Sequence, residues 1–272
     1  MTVINTNVKS LIAQQALATN NRSLSKAMEQ LSTGKRINSA ADDAAGLAIS
    51  NRMSAQIRGL NQAVRNANDA ISMIQTTEGS LNEVTNMLQR MRELAVQSVN
   101  GTNSTSDRSA LNTEYGQLAS EIARISDKTT WNGVSVVGET ATYAYQIGAD
   151  SGDVVSVTFQ DISAMNGISD VSGGGVGAVT SATSALSDID NALSAVNSYR
   201  STLGAVVNRL NYAADNLTSV STNTAASRSR ILDADYATAT TELARSQIIQ
   251  QAATAMLAQA NQAPASVLAL LR

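Results

Sequence analysis

Apolar residues recur every three or four positions along much of the chain, and this spacing predicts long helices that pack as coiled coils. The clearest run lies between residues 57 and 74, where the alternation of three and four is unbroken. After an interruption at Glu78 the same spacing resumes. The side chains of this first seam are Ile57, Leu60, Val64, Ala67, Ile71, Ile74, Leu81, Val84, Leu88 and Met91.

Two further seams lie downstream. One helix is expected to begin at Ser106 as its N-cap residue and to continue through Leu111 and Tyr115. The other seam repeats every seven residues towards the end of the chain. Its members are Ile189, Val196, Leu203, Leu210 and Leu217.

The two ends of the chain carry weaker seams, in which apolar residues are interspersed with many Asn, Gln, Ser and Thr. Because an isolated helix of this kind is marginal in water, such seams must face one another. We therefore expect a helix near the start of the chain to pack against one near its end. The two terminal seams are Leu17, Leu24, Met28 and Leu31, and Leu232, Tyr236, Ala239 and Leu243.

The middle of the chain, from Thr129 to about Val179, has turn residues instead of the helical period. Two runs of alternating apolar residues flank a Gly-Ala-Asp-Ser-Gly loop and predict a β-hairpin. Three consecutive glycines at 173–175 predict a flexible loop. The fold class is therefore mainly α, with long antiparallel coiled-coil helices formed by the N- and C-terminal regions and a small central β-hairpin segment. The hairpin runs are Tyr143, Tyr145 and Ile147, then Val155, Val157 and Phe159.

The composition removes most catalytic chemistry. The chain has no Cys and no His, so it lacks thiol and imidazole nucleophiles, the commonest general base and the side chains that Zn²⁺ prefers. Its formal charge of -3 provides no basic field for a phosphate backbone. We expect no enzyme, no cofactor, no metal site and no nucleic-acid partner.

Membrane and export signals are also missing from the pattern. The most apolar terminal stretch, residues 252–271, is interrupted by Gln259, Asn261 and Pro264, which argues against a membrane span. The first residues lack a basic segment followed by an apolar one, so a cleaved signal peptide is not expected.

Several polar and aromatic side chains allow two interpretations. Asp42 and Asp43 precede an apolar run and are better placed at a helix N-terminus than in a catalytic pair. Arginines beside the seams are interpreted as ion-pair partners between subunits or as parts of solvated faces. The aromatics of the β segment either hold the hairpin on a helix or stack on sugars. These side chains are Arg58, Arg65, Arg90 and Arg92, and Trp131, Tyr143, Tyr145 and Phe159.

Short segments at both ends of the chain form an ordered set of motifs. They are VINTN at 3–7, LSTGKRIN at 31–38, ADDAAG at 41–46, QRMRELAVQ at 89–97, SRI at 229–231, QANQ at 259–262 and VLALLR at 267–272. Together these segments resemble bacterial flagellin. Only the middle, roughly 130–185, lacks a close match, which implies a short form with a reduced central variable region.

The resemblance implies a structural subunit that polymerises into the bacterial flagellar filament for swimming motility. It implies export by the flagellar type III apparatus without a cleaved signal peptide, and an extracellular location. Residues 1–40 and 231–272 would be terminal helices of the filament inner core, disordered in the free subunit. Residues 41–128 and 185–230 would form the outer-tube helical domain, and 129–184 a short surface segment.

The implied partners are further copies of the chain, the flagellar cap, the hook-filament junction protein and an export chaperone. Arg90, Leu94 and Glu114 match family positions bound by Toll-like receptor 5, although subunit packing explains them equally well. Self-assembly is expected through the seams, so Leu210→Asp should abolish it. The principal seam residues are Leu17, Leu24, Leu31, Ile57, Leu60, Val64, Ile71, Ile74, Ile189, Val196, Leu203, Leu210, Leu217, Leu243, Leu268 and Leu271.

Two alternatives remain open at this point. A hook-filament junction protein would have similar ends but would occur as a few copies at the filament base. A surface adhesin or glycan-binding module would be supported by the aromatic hairpin alone.

Overall fold

The computed structural model describes residues 6–270, with side chains as far as residue 262. Long helices dominate this range, and the strands are short. The predicted mainly helical fold class and the central β-hairpin are both confirmed. In chain order the elements are α1 (Val8–Thr33), α2 (Ala44–Val99), α3 (Thr105–Lys128), β1 (Thr130–Trp131), β2 (Val134–Ser135), β3 (Ala141–Gln146), β4 (Val154–Phe159), α4 (Ile168–Gly173), α5 (Val179–Leu232) and α6 (Tyr236–Leu270).

The chain divides into two compact units. Unit 1 comprises Met1–Ile57 and Thr222–Arg272, and unit 2 comprises Arg58–Ser221. The divisions fall inside α2 and inside α5. The filament layers implied by the resemblance have boundaries near residues 40 and 230, and they stay a prediction.

The helix ends follow local chemistry. The side chain of Asn7 accepts a hydrogen bond from the Ser10 N–H at the start of α1, and Gly34 ends that helix with a positive φ of 70°. The predicted N-cap of α3 at Ser106 is wrong, because the cap is Ser104. A reciprocal capping box requires an acidic or amide side chain three residues after the cap, and Asp107 meets that requirement only for Ser104.

Unit 2 has one apolar core, enclosed mainly by α2, α3 and α5. Ile74 and Leu88 of α2, Ile122 of α3, and Ile189 and Val196 of α5 are each at most 1% exposed. Each such side chain contributes about 1.5–3 kcal/mol of transfer free energy. The seams of three separate helices therefore converge in a single core.

The β segment closes one side of this core. β3 pairs with β4 in antiparallel register, with Tyr143 opposite Val157. Val155, Val157 and Phe159 point inwards and are at most 2% exposed, and the Tyr143 and Phe159 rings meet edge to face at 5.8 Å. The interpretation of these aromatics as packing groups is therefore supported by the structure.

Two features of unit 2 go beyond the sequence pattern. α2 runs through Glu78 as one helix, and beside the interruption of the apolar seam Thr77 is buried and its hydroxyl donates to the Met73 carbonyl over 3.1 Å. The glycine-rich loop after α4 is anchored at Val176, whose N–H donates to Asn112 Oδ1 over 2.7 Å and whose carbonyl accepts from the Ser98 hydroxyl. Side chains of α2 and α3 thus hold the loop.

Candidate functional site

The two terminal helices, α1 and α6, pack antiparallel in unit 1 through a largely polar seam. Asn20 Nδ2 donates to the Ser246 carbonyl over 2.8 Å, and Ser10 Oγ donates to Asn261 Oδ1 over 2.9 Å. Ser10, Asn20 and Ser246 are all at most 9% exposed. Satisfied buried polar groups define the register of a helix pair while adding little stability. The pair therefore has a defined alignment and a weak core.

One hydrogen bond in this seam compensates for a proline inside α6. Pro264 lies inside α6 and has no N–H, so the Ala260 carbonyl one turn earlier loses its usual intrahelical donor. Asn7 Nδ2 supplies the missing hydrogen bond to that carbonyl over 2.7 Å. Asn7 thus caps α1 with its oxygen and completes α6 with its nitrogen. This arrangement fixes the start of α1 against α6.

An apolar surface on the helix pair remains uncovered. Val8, Leu11 and Ile12 of α1 are 51%, 56% and 62% exposed. Ile12 lines two shallow grooves of about 520 and 470 Å³, one shared with Ile249 and the other with Met256 of α6. Contiguous exposed apolar surface is common where a protein binds another molecule. We call Ile12, Ile249 and Met256 the terminal apolar surface.

The terminal seam residues predicted from spacing differ in how deeply they are buried. Leu17, Leu24, Leu31 and Leu243 are half-buried. Met28 and Tyr236 are 56% and 57% exposed, so their assignment to the seam is wrong. The buried apolar residues of the pair are Ala27 and Ala239, of which spacing predicted only Ala239, and their small side chains allow close approach of α1 and α6. The side chain of Leu268 and the whole of Leu271 lie outside the described residues.

Unit 1 also contains a turn between α1 and α2 that is tied to the segment before α6. Arg36 N–H donates to the Leu232 carbonyl over 2.7 Å, and Ala234 N–H donates to the Gly34 carbonyl over 2.9 Å. Lys35 and Asp233 form an isolated antiparallel bridge. Sequence spacing did not predict this pairing, because it joins residues about 200 positions apart.

Asp42 and Asp43 stabilise the same turn, as their position before α2 suggested. Asp43 Oδ1 accepts from the Gly46 N–H over 2.8 Å. A Cβ at Gly46 would lie 2.5 Å from Asp43 Oδ2 and 2.7 Å from Ile37 Cδ1, so a larger residue there would displace both side chains. Asp42 accepts from Lys26 Nζ over 2.8 Å, and that ammonium group, with the N–H groups of the turn, holds the pKa of the carboxyl well below its usual range.

The seam residues predicted for unit 2 lie where helices meet. Their side chains pack against one another within a single chain. If they contribute to assembly, they do so by stabilising the folded unit, and that contribution stays a prediction. Leu60, Ile71, Ile74, Ile189, Val196, Leu203 and Leu210 are buried, whereas Val64 and Leu217, with Ile57 at the edge of unit 1, are half-buried.

The three residues matched to a receptor site do not share one environment. Arg90 donates to Glu114 over 2.9 Å and to Glu93 over 2.8 Å at the surface of unit 2. Leu94 is 1% exposed and belongs to the core. On the same helix Arg92 pairs with Asp190 of α5 over 2.8 Å. Arg90 and Arg92 therefore form ion pairs between helices of one chain, whereas Arg65 donates to Gln62 of its own helix over 2.6 Å. Pairing of these arginines between subunits stays a prediction.

The titratable groups do not favour catalysis. Burial raises the pKa of Tyr115 and of Tyr145 to about 12, and pairing with arginine lowers the pKa of Glu121 and Asp190. General acid–base catalysis requires the opposite, a pKa near the working pH. Among residues 6–270, no three His, Cys, Asp or Glu side chains come together to hold a metal ion.

Membrane insertion has no support in the described helices. None of those within residues 6–270 combines the length and the apolar character that crossing a bilayer requires.

Comparison with known proteins identifies the family. The bacterial flagellin N-terminal helical region matches residues 4–142, and the bacterial flagellin C-terminal helical region matches residues 186–271. A flagellin of Halalkalibacterium halodurans is 49% identical over 273 residues, 99% of this chain and 100% of that protein. A flagellin of Xenorhabdus nematophila is 42% identical over 310 residues, 99% of each chain. The unmatched stretch between the two regions, residues 143–185, contains most of β3 and the whole of β4 and α4.

Solved structures agree with this assignment. The crystal structure of Bacillus cereus flagellin is 34% identical, with a TM-score of 0.51 over 60% of this chain and 94% of that chain. A protein described as flagellar hook-associated, from Vibrio parahaemolyticus, has a TM-score of 0.60 over 71% of this chain and 100% of that chain at 14% identity, which shows a shared fold only. The relatives at 49%, 42% and 34% identity are all flagellins, so the junction-protein and adhesin alternatives are not favoured. This chain belongs to the bacterial flagellin family: it is a structural subunit of the extracellular flagellar filament and not an enzyme.

Proposed function

We propose that copies of this chain polymerise through the terminal apolar surface, so that α1 and α6 form the inner layer of the filament. The observation that carries the proposal is the exposure of Ile12, Ile249 and Met256, which are 62%, 44% and 61% exposed on a helix pair with a polar seam. Contact with neighbouring copies would bury these side chains and stabilise a pair that has little core of its own.

The finer organisation follows the family pattern. Residues 1–40 and 231–272 form the inner core, residues 41–128 and 185–230 the outer tube, and residues 129–184 the surface segment. The filament converts motor rotation into thrust, and near-equivalent packings between neighbouring subunits allow small axial slips that change its shape. Because the central segment is short, the filament surface is comparatively smooth.

Export and assembly partners belong to the same proposal. The chain leaves the cell through the flagellar type III apparatus with an export chaperone, and it adds to the filament between the hook-filament junction protein and the cap. A weakly stabilised unit 1 suits this route, because a chain exported unfolded must lose its structure at low cost.

Recognition by Toll-like receptor 5 stays a prediction. The ion pair of Arg90 with Glu114 is accessible, and a receptor could displace it. Leu94, at 1% exposure, would serve by positioning the helix and not by direct contact.

The proposal is tested by charge substitution on α1. Ile12→Asp places a carboxylate in the terminal apolar surface, whereas Gln14→Asp places the same charge on the exposed opposite side of the helix. Seeded polymerisation is followed by negative-stain electron microscopy, with far-UV circular dichroism of the monomers as a folding control. We expect Ile12→Asp to lower filament yield at least about tenfold and Gln14→Asp to behave as wild type. Normal filaments from Ile12→Asp would show that the terminal apolar surface is not the contact.

A further inference from the structure

The outer edge of β4 carries backbone groups that its partner strand does not use. Ile147 N–H donates to the Asp153 carbonyl over 2.8 Å, which makes these residues a hydrogen-bonded pair. Such pairs alternate with non-hydrogen-bonded pairs along an antiparallel ladder. In the observed register, Ser156 opposite Ala144 and Thr158 opposite Thr142 are therefore non-hydrogen-bonded pairs. Ser156 and Thr158 direct their N–H and C=O groups away from β3.

This outer edge faces α5. At the end of β4, Gln160 N–H donates to Tyr199 Oη of α5 over 3.1 Å. Before that point, the edge and the helix are separated by a groove of about 480 Å³, lined on the strand side by Ser156 and Thr158. None of the residues that the structure describes donates to or accepts from the outward backbone groups of these two residues.

The groove has the shape and chemistry for a third strand. Three of the α5 residues that line it, Ala195, Ser198 and Thr202, have short side chains that leave room beside β4. The other lining residues of α5 are Tyr199, Leu203 and Val206. An unpaired strand edge is a template for another extended chain, since main-chain hydrogen bonds supply the attraction and alternate side chains the specificity. An occupant must therefore be an extended peptide segment.

Charge indicates which molecule supplies that segment. Unit 2 contains nine Lys and Arg residues against sixteen Asp and Glu residues, so two such units repel each other. The side chains that line the groove include none of these charged residues. Two acidic units that pack side by side repel each other least where their surfaces carry no charged side chains. The groove is a surface of this kind.

We propose that in the filament an extended, uncharged segment of a second copy of this chain lies in the groove and adds a third strand to β4. The inference rests on the proposed polymerisation, and it names one contact between the unit 2 regions of neighbouring copies.

Hydrogen exchange of the wild-type protein tests the proposal directly. Residue-resolved exchange is measured by mass spectrometry on monomers and on seeded filaments. We expect the amides of Ser156 and Thr158 to exchange at least about 100-fold more slowly in filaments, because strand addition gives each N–H an acceptor. The Val157 amide, which already donates to β3, serves as an internal control for the stability of the hairpin. Equal exchange of Ser156 and Thr158 in both states would overturn the proposal and leave the groove open to another class of ligand.

A pair of substitutions separates main-chain pairing from side-chain contact. Ser156→Pro removes the outward N–H at an edge position where the ladder to β3 does not need it. Ser156→Ala removes only the hydroxyl. We expect Ser156→Pro to raise the critical concentration for polymerisation about tenfold, and Ser156→Ala to leave it unchanged. Wild-type behaviour of both variants would contradict strand addition.

The outcomes distinguish this contact from polymerisation itself. If wild-type filaments form but Ser156 and Thr158 exchange as in monomers, strand addition fails while the filament function stands. If Ser156→Pro disturbs the hairpin, seen as faster Val157 exchange in its monomer, the wild-type exchange measurement decides alone.

Discussion

Unit 1 and unit 2 are both helical, yet they are stabilised in different ways. In unit 2, α2, α3 and α5 enclose many fully buried aliphatic side chains, among them Leu81, Leu88 and Leu210 at 0% exposure. In the described part of unit 1, the buried apolar side chains are Ala27, Ile37 and Ala239. Unit 2 therefore has a core of its own, whereas unit 1 relies on polar contacts and turns.

The two units also differ in net charge. Unit 1 contains ten Lys and Arg residues against six Asp and Glu residues, and unit 2 is acidic. A basic helix pair with exposed apolar residues and an acidic unit with a closed core suit different tasks. Under the proposed polymerisation, the first would gain stability by contacting other copies, and the second would keep its fold because it has a core of its own. Helix content alone therefore does not indicate where a chain is stable.

The largest expected effect compares the same substitution in the two units. Leu210→Ala should lower the free energy of unfolding of unit 2 by about 2–5 kcal/mol, because the side chain is fully buried and leaves a cavity. Leu24→Ala, at a half-buried position of unit 1, should leave the unit 2 transition unchanged. Trp131, the single tryptophan, lies against the unit 2 core and reports that transition by fluorescence in urea. Equal shifts of the unit 2 unfolding transition in the two variants would contradict the assigned difference between the units.

A smaller effect is expected from the hydrogen bond between α1 and α6. Asn7→Ser keeps an N-cap oxygen but removes the donor to the Ala260 carbonyl, which should destabilise the helix pair by about 1 kcal/mol. Thermal melting followed by far-UV circular dichroism measures the change. In a Pro264→Ala background the helix supplies its own donor, so the same substitution should cost less. An equal cost in both backgrounds would contradict the role assigned to Pro264.

The smallest effect concerns pH and Asp42. Its pKa in the folded chain lies below its ordinary value of 3.8, because the Lys26 ammonium group and the N–H groups of Ser39 and Asn38 favour the carboxylate. The resulting stabilisation is complete above the ordinary value and is lost as pH falls through the lowered one. We expect unit 1, which has the smaller apolar core, to melt in the low-temperature part of the curve, and this part to shift down below pH 4 in wild type and to respond less in Asp42→Asn. Equal pH-dependent shifts of the melting curve in the two proteins would show that Asp42 does not contribute to the acid sensitivity of unit 1.

Much of unit 2 was predictable from the sequence. Heptad spacing identified Leu60, Ile74 and Leu203 as seam residues, because a long amphipathic helix must bury its apolar face. Alternation identified the inward side chains of β4 for the same reason. The hairpin of β1 and β2 around Asn132 and the short helix α4 were not predicted, since such brief elements produce no periodic signal.

Unit 1 was less predictable. Spacing placed Met28 and Tyr236 in the terminal seam, but both point outwards because Asn and Ser side chains occupy the contact. The terminal apolar surface was missed for the related reason that its residues do not pack within one chain. The signal that could have found it is the apolar cluster of Val8, Leu11 and Ile12, which exceeds what the seam requires.

The sequence by itself determined the helical class, the β-hairpin, the lack of thiol and imidazole chemistry and the flagellin resemblance, because each depends on local residue order or on composition. Three features became visible in the folded chain alone: Asn7 completes α6 at Ala260, Leu94 is buried while Arg90 pairs with Glu114, and the outer edge of β4 faces a groove. These features depend on the alignment of distant helices and strands. Local periodicity specifies which face of an element is apolar, but it does not specify which distant residue lies opposite.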